Sequence, residues 1–454
     1  MTGIADKGMA VGRDKEGMVY FVEGAVPGDN VDVLVLRKKS SFRKGVVNDF
    51  NTLSEERIKA HCEHFGICGG CKWQNLSYAS QLKYKQQSVK DVFQRIAGVS
   101  PEDFREIMGC EEIFEYRNKM EYSFSYRRWL TREELDTDEK LDFGQAVGFH
   151  KAGAFDKVVQ IEKCHLQEDL SNEIRNFIHR FSLENNFTYY NNREHEGFLR
   201  NLRVRNSTLG EWMVIVIFGE NNHEDIELLM AAVKEEFPQI TSLQYVVNTK
   251  MNDTIYDQDV FVYNGESYLT EQLGHLMYRI GAKSFFQTNS NQARKLYDLV
   301  CEFAELKQDD LVYDLYTGLG SIALYIAKDC KKVIGIEEIK EAVDDANINK
   351  ELNGIENAFF EVGDVKDEYN TRFVEKYGTA DVIIVDPPRA GLHKDVCDML
   401  NQSGARRIVY VSCNPATQAR DVMLMPNYHI SKLQAVDMFP HTHHIENVIS
   451  LDRN

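Results

Sequence analysis

The stretch that most restricts the fold begins at Leu311. Leu311-Val312-Tyr313-Asp314-Leu315 is a short apolar run, Thr317-Gly318-Leu319-Gly320 a tight turn, and Ser321 to Lys328 the opening of a helix. Val333-Ile334-Gly335-Ile336 follows as a second apolar run and ends in Glu337. A buried run, a glycine turn, a helix and another buried run make a β-α-β unit that holds a nucleoside: glycines admit the ligand close to the backbone, and the acidic residue reaches ribose hydroxyls. The alternation of buried strands and helices holds from about residue 285 onward, so an α/β, Rossmann-like domain is expected there. Gly318-Leu319-Gly320-Ser321-Ile322-Ala323 also satisfies the loose dinucleotide fingerprint, which keeps a nicotinamide-dependent oxidoreductase as a competing reading.

Two features favour S-adenosylmethionine. Asp314 precedes the turn, a carboxylate suited to organising the loop around an amino-acid moiety. A later strand, Val382-Ile383-Ile384-Val385, ends in Asp386-Pro387-Pro388, which resembles the substrate-presenting loop of nucleobase methyltransferases, where rigid prolines hold polar groups against a planar ring. Between them, Phe359-Phe360-Glu361-Val362-Gly363 leads to Asp364, where the adenine amine of such a cofactor is met.

Val411-Ser412-Cys413-Asn414-Pro415 directly follows the run Arg407-Ile408-Val409-Tyr410, so a cysteine stands where a buried strand turns into a loop. Such a cysteine is ordinarily a packed small hydrophobe. Here Asp386-Pro387-Pro388-Arg389-Ala390-Gly391 lies upstream and Pro440-His441-Thr442-His443-His444-Ile445-Glu446 downstream. The three segments together offer a nucleophile, a substrate-positioning turn and a base.

Nine cysteines in a chain that opens on no basic-then-apolar signal segment are expected to be reduced thiols in a cytoplasmic protein. Cys62, Cys68 and Cys71 follow a C-x5-C-x2-C spacing, with Gly69 and Gly70 letting the backbone fold around one inorganic centre. Cys164, in the polar segment Ile161-Glu162-Lys163-Cys164-His165, is the best fourth ligand. Four thiolates suit zinc or an iron–sulfur cluster alike.

Residues 1–52 alternate strand-like runs with Gly, Pro, Asp and Asn turns, the pattern of a small β-barrel of the oligonucleotide-binding kind. A helix over Tyr78 to Ile96 is expected, with Leu82, Val89, Val92, Phe93 and Ile96 on its apolar side. Residues 53–275 read as a mixed α+β central domain and 276–454 as the Rossmann-like one. No apolar stretch approaches the ~20 residues needed to cross a bilayer. The net charge of -18 opposes nucleic acid, yet basic residues are clustered. Arg37, Lys38, Lys39, Arg43 and Lys44 form one group; Arg117, Lys119, Arg127 and Arg128 interleave with Tyr116, Tyr122, Phe124, Tyr126 and Trp129; Arg200, Arg203 and Arg205 form a third. Basic groups mixed with aromatics suit phosphates and stacked bases, although each group also reads as a solvated face.

Taken together, the chain resembles the RNA uracil-5-methyltransferase family, in the TRAM-domain, iron–sulfur form that modifies large-subunit ribosomal RNA. The matching segments are the N-terminal strands, the four cysteines, Phe285-Phe286-Gln287-Thr288-Asn289, Asp314 to Gly320, Asp386 to Gly391, Ser412 to Pro415 and His444-Ile445-Glu446. Thr317 departs from the family, which often carries a cysteine there. The resemblance implies Cys413 as the nucleophile and Glu446 as the base. It implies Gln287, Tyr316, Ser321, Glu337, Asp364 and Asp386 around S-adenosylmethionine, which leaves as S-adenosylhomocysteine, and a [4Fe-4S] cluster on Cys62, Cys68, Cys71 and Cys164. The partner it implies is 23S ribosomal RNA, with transfer RNA as the alternative, for a monomer that needs no membrane. A non-catalytic RNA-binding iron–sulfur protein would leave Cys413, Glu446 and Gln287 unexplained.

Overall fold

The computed structural model describes residues 1–98, 104–136, 143–151, 153–154 and 156–454. The turn-rich N-terminus folds into a five-stranded sheet of β1 (Gly3–Ile4), β2 (Ala10–Arg13), β3 (Val19–Glu23), β4 (Asn30–Lys38) and β5 (Phe42–Thr52). Their order is β1-β2-β3-β5-β4, with β1 and β4 at the ends. Gly45 is required here because a Cβ would stand 2.3 Å from the Leu34 carbonyl on the neighbouring strand. Asp29, its side chain fully buried, accepts from Arg57 at 2.7 Å and ties the following segment to this sheet.

A second sheet is built from β6 (Lys119–Ser125), β7 (Ala146–His150), β8 (Val158–Gln160), β9 (Leu199–Asn206), β10 (Trp212–Phe218), β11 (Ser242–Val247) and β12 (Val260–Gly265). Its order among the described residues is β12-β11-β10-β9-β6-β7-β8. Helices Asp169–Glu184 and His223–Glu236 bury Ile174, Ile178, Leu229 and Val233 against one face. Met213, Ile215 and Ile217 pack on the other.

Coverage on both faces corrects the expected Arg200–Arg205 surface and takes three aromatics out of the 116–129 group, in which Arg127 stays exposed over the Tyr126 ring. Tyr116, Tyr122 and Phe124 belong to the core and offer no ring to a base. Arg200 and Arg205 are buried as well. Arg200 donates to the carbonyls of Asn248 and Asn252 and pairs with Asp253, Arg205 donates to the carbonyls of Gly281 and Ser284, and Arg203 pairs with Glu121. Their donors are spent inside the protein, so they form neither a phosphate-binding nor a solvated face.

A hairpin, β13 (Tyr268–Leu273) and β14 (Leu276–Gly281), leads into the third sheet. This comprises β15 (Leu311–Leu315), β16 (Lys332–Glu337), β17 (Ala358–Val362), β18 (Val382–Val385), β19 (Arg407–Ser412), β20 (Tyr428–Val436) and β21 (Glu446–Arg453). The order is β17-β16-β15-β18-β19-β21-β20; the first five strands are parallel and β21 is antiparallel to both neighbours. Alternate residues enter opposite cores: Val312, Ile384 and Val409 face helix Ser290–Ala304, while Tyr313, Ile383 and Ile408 share the other core with helices Lys394–Gln402 and Pro415–Val422. The sheet is thereby buried on both sides, as parallel strands require.

Helix Tyr78–Ile96 spans the expected residues, with Ser77 capping it by accepting from Ser80 N. It packs on the third sheet's core through Val89 and Phe93, while Ile96 is 42% exposed. Phe104 and Met108 then bridge to Leu433 and Val436 on the sheet's outer strand. Part of the span 53–275 therefore lies against the C-terminal sheet. Among the described residues no helix is long and apolar enough to cross a membrane.

Candidate active site

β15 sits mid-sheet, and the chain passes from it outward through β16 and β17 before returning to β18 on its other side. Such a reversal leaves a crevice beyond the carboxyl ends of β15 and β18, where open α/β sheets bind ligands. A cavity of about 480 Å³ lies there, and Gln287, Tyr316, Ser321, Glu337, Asp364 and Asp386 all line it. Tyr316 takes a left-handed φ of 70°, unusual for a residue with a Cβ, and is held because its N–H and that of Thr317 both donate to the Ile336 carbonyl. Glu337 accepts from Gly318 N at 2.9 Å and Ile339 N at 3.0 Å, which fixes its carboxylate at the end of β16. Ser321 accepts from the Tyr297 hydroxyl, and Asp364 caps the short helix after β17 by accepting from Lys366 N.

Asp314 also lines this cavity. Its Oδ2 accepts from Thr317 Oγ1 at 2.6 Å and Ala323 N at 3.0 Å, while its Oδ1 is buried without a partner. Burial pushes its carboxyl up to about 7, against the hydrogen bonds that lower it. An unfilled acid acceptor, a carboxylate placed for ribose and a left-handed loop fit the ammonium, ribose and backbone-contacting parts of S-adenosylmethionine.

A second cavity, of about 780 Å³, opens beyond the Asp386–Arg389 loop and is lined by Cys413, Arg389, His443 and His444 together with Lys7 and Phe21 of the N-terminal segment. Cys413 occupies the one-residue gap between β19 and Asn414, which caps helix Pro415–Val422. The Arg389 carbonyl accepts from Asn414 Nδ2 at 3.1 Å and Thr417 Oγ1 at 3.4 Å, fastening the two loops together. The Arg389 side chain stands 2.6 Å from His444 Nδ1 and lines the same cavity as Cys413, whose thiolate its charge favours.

Burial raises the Cys413 thiol, as do Glu446 and Asp386, while Arg389 lowers it. Glu446, the first residue of β21, is 6% exposed, and burial followed by the Asp386 charge holds its carboxyl well above the ordinary range. Burial and then the Asp314 charge push Asp386 up to about 7. Asp386 lines the first cavity and Cys413 and Arg389 the second, while the pairing of Ser412 with Asn447 sets Cys413 and Glu446 at adjoining strand ends. Shifts of this kind, set by burial and specific partners, gather at reactive sites. Sequence reasoning passed over Arg389 and Tyr297, although Arg389 lies within the Asp386-to-Gly391 segment.

Cys62, Cys68, Cys71 and Cys164 are brought together around a third cavity, of about 370 Å³. Burial pushes Cys68 up to about 11 and Cys71 up to about 12, the neighbouring sulfurs adding to it. Among the described residues no three His, Cys, Asp or Glu side chains converge closely enough for a single metal ion. Beside Cys164 lies Arg175, a fully buried guanidinium with no ion-pair partner among the described residues and an unbonded Nε. It donates to Asn172 Oδ1 at 2.9 Å, the Glu162 carbonyl at 2.6 Å and Asn176 Oδ1 at 3.1 Å and lies over the Tyr122 ring, and Asn172 brackets Cys164 by bonding its N–H and carbonyl. Four thiols around one space, with the Arg175 cation behind one of them, fit a polynuclear thiolate centre.

Comparison with known proteins adds the following. Residues 205–454 match the family described as tRNA (uracil-5-)-methyltransferase. A Bacteroides thetaiotaomicron protein named an uncharacterized RNA methyltransferase is 47% identical over 99% of this chain and 100% of its own length. One from Chlorobaculum tepidum, also named an uncharacterized RNA methyltransferase, is 38% identical over 100% of this chain and 95% of its own. Among solved structures, the Pyrococcus abyssi tRNA (uracil-54, C5)-methyltransferase in complex with S-adenosyl-L-homocysteine is similar, with a TM-score of 0.77, 29% identity and 99% of each chain covered.

Proposed function

The chain belongs to the RNA uracil-5-methyltransferase family, enzymes that methylate carbon 5 of uracil in RNA from S-adenosylmethionine, and we propose that it does so through a covalent Cys413 adduct resolved by Glu446. The reading is supported by Asp386 lining the cofactor cavity, Cys413 and Arg389 lining the neighbouring one, and the Ser412–Asn447 pairing that sets Glu446 and Cys413 at adjoining strand ends.

Carbon 5 of uracil is a weak nucleophile. Addition of the Cys413 thiolate to carbon 6 moves electron density to carbon 5, and Arg389 favours the thiolate that this needs. S-adenosylmethionine, held by Gln287, Tyr316, Ser321, Glu337, Asp364 and Asp386, supplies an electrophilic methyl group when bound. Glu446 then takes the proton left on carbon 5, the carbon 6–sulfur bond breaks, and Cys413 leaves as thiolate. A carboxylate whose proton affinity is raised by burial is a stronger base than one in water, which suits Glu446 to a carbon-bound proton. The target base must leave its stack to reach Cys413.

We read the N-terminal sheet as the TRAM-type RNA-holding module and the four-cysteine cavity as the seat of a [4Fe-4S] cluster, in a cytoplasmic monomer. Large-subunit ribosomal RNA is the first substrate reading, resting on those two features. Transfer RNA is the second, supported by the similarity to the Pyrococcus abyssi enzyme over nearly the whole chain. Mapping 5-methyluridine in both RNAs from a deletion strain, with and without a Cys413→Ala copy, tests chemistry and substrate together. A missing methyl restored by the wild-type gene alone supports the reading; restoration by Cys413→Ala overturns the covalent mechanism.

A further inference from the structure

Glu446 follows a segment, Asp437 to Ile445, without helix or strand, yet a base must be held to within a fraction of an ångström. The segment is pinned from outside. Asp437 accepts from Lys85 Nζ at 2.6 Å, both side chains fully buried, and from the Tyr78 hydroxyl at 2.9 Å. Tyr116 donates to the Pro440 carbonyl at 3.1 Å. The tightest grip is on His441, which is 2% exposed and takes a left-handed φ of 66°. Its N–H donates to Gln81 Oε1 at 2.8 Å, its ring Nδ1 stands 3.2 Å from Gln81 Nε2, and its ring stacks on Phe114 at 4.5 Å. A non-glycine residue holds that conformation only when its surroundings impose it.

Two further bonds to His441 come from the cysteine loop. The His441 carbonyl accepts from Lys72 N at 2.8 Å and Trp73 N at 3.0 Å, the two residues directly after Cys71. Gln74 Oε1 in turn accepts from Cys62 N at 2.9 Å, and Thr442 lines the cysteine cavity. Thr288 lines the same cavity, one residue from Gln287 of the cofactor cavity. The cysteine loop is thereby bonded to the strap that ends in the base and shares its cavity with a neighbour of the cofactor-facing Gln287.

We propose that His441 is a positioning residue for Glu446, clamped by Gln81 and by the loop that the four cysteines fold, so that the cysteine centre serves to keep the base in register. The proposal rests on Glu446 being the base. Its consequence is specific: loosening the clamp slows removal of the carbon 5 proton and leaves thiolate addition and methylation in place. A covalent protein–RNA adduct then accumulates.

The test uses the full-length, anaerobically prepared protein with the RNA it methylates. Gln81→Met keeps the shape of helix Tyr78–Ile96 and removes the Gln81 half of the clamp, together with its bonds to the Trp73 and Leu76 carbonyls. Turnover is expected to fall about a hundredfold, with one S-adenosylhomocysteine per enzyme formed in a first burst and an RNA adduct that survives denaturing electrophoresis. His441→Gly, whose backbone accepts a positive φ, removes the ring alone and is expected to give the same adduct with about a tenfold loss; it decides the matter if Gln81→Met does not fold. Normal turnover in the folded variants, or reduced turnover without adduct, overturns the proposal. Glu446→Gln is the control that separates the two ideas: if it too leaves no adduct, the assignment of the base fails; if it traps one and the clamp variants do not, the positioning role fails.

Discussion

Arg389 Nη2 stands 2.6 Å from His444 Nδ1, and the same residue lines the cavity that holds the Cys413 thiol. Burial, followed by the charges of His443 and Arg389, pushes His444 down to about 3, so at neutral pH it is an uncharged acceptor that holds the cation without competing for its charge. Arg389 is therefore an electrostatic support for the thiolate, opposing burial.

Replacing it should move the pH dependence of the thiol. An adjacent cation favours the charged form of Cys413, so Arg389→Met raises the thiol pKa and shifts the rising limb of activity to higher pH. Alkylation of Cys413 by iodoacetamide at pH 7.5 should slow about tenfold, the effect of one pKa unit. Measured alkylation rates across pH 6–10 check this, and an unchanged profile removes Arg389 from thiolate support.

Asp314 gives a stability prediction of definite sign. Its carboxyl is raised from an ordinary 3.8 to about 7 in the folded protein. Between those values the folded chain holds a proton that the unfolded chain has lost, so stability falls as pH rises from about 4 to 7 and is level above. Asp314→Asn keeps an acceptor for Thr317 and Ala323 but carries no charge. In ligand-free protein it should be more stable than wild type at pH 8, on the order of 2 kcal/mol, with the gap closing by pH 4. Urea unfolding at the two pH values reads this out, while S-adenosylmethionine binding should weaken at both.

How much of this could be read in advance follows physical lines. The strand ends carrying Asp314, Glu337, Asp386 and Cys413 were legible because strands buried on both faces are unbroken apolar runs, and a polar residue at such an end faces the crevice. Helix Tyr78–Ile96 was legible as a helix, but its amphipathic face says that it is buried and not against what. Its docking on the C-terminal sheet arises from contacts distant in sequence. Arg200 and Arg205 misled for a related reason: carbonyl partners such as Asn248 and Gly281 come from other segments, so the charges resemble surface in the sequence. Arg389 was hidden because its role depends on Cys413 and His444, which only the folded sheet brings to it.

The cysteine cavity leads to a measurement independent of RNA. Anaerobically purified protein should be brown, with close to four irons per chain for a [4Fe-4S] centre. Cys68→Ala should bleach it and lower the melting temperature, since a bound centre contributes folding energy. Arg175→Met, which removes the buried cation behind Cys164, should lower iron retention on gel filtration while Arg175→Lys retains more. Stoichiometric zinc without iron would sink the cluster assignment.

The remaining question is how a chain of net charge -18 holds RNA. With Arg200, Arg205 and the Tyr116–Phe124 aromatics committed to the interior, the β4–β5 hairpin end is the exposed basic group with the most cations, beside the single exposed Arg127 over the Tyr126 ring. At the hairpin end Lys38 pairs with Arg43 and Arg37 with Lys44 across the strands, and Arg37, Lys38 and Lys39 are exposed. Cations held in register on a rigid hairpin keep their spacing, which suits successive phosphates. Replacing Arg37, Lys38 and Lys39 with Ala should weaken RNA binding and flatten its salt dependence by about 0.7 log units per lost single-strand contact. Methylation of a short substrate that reaches only Cys413 should change little, because Cys413, Glu446 and the cofactor cavity are untouched. Binding titrations from 50 to 300 mM salt decide it. An unchanged slope in the triple variant would assign the hairpin to solvent and move the footprint to the cations bordering the Cys413 cavity, Lys72 and Arg95.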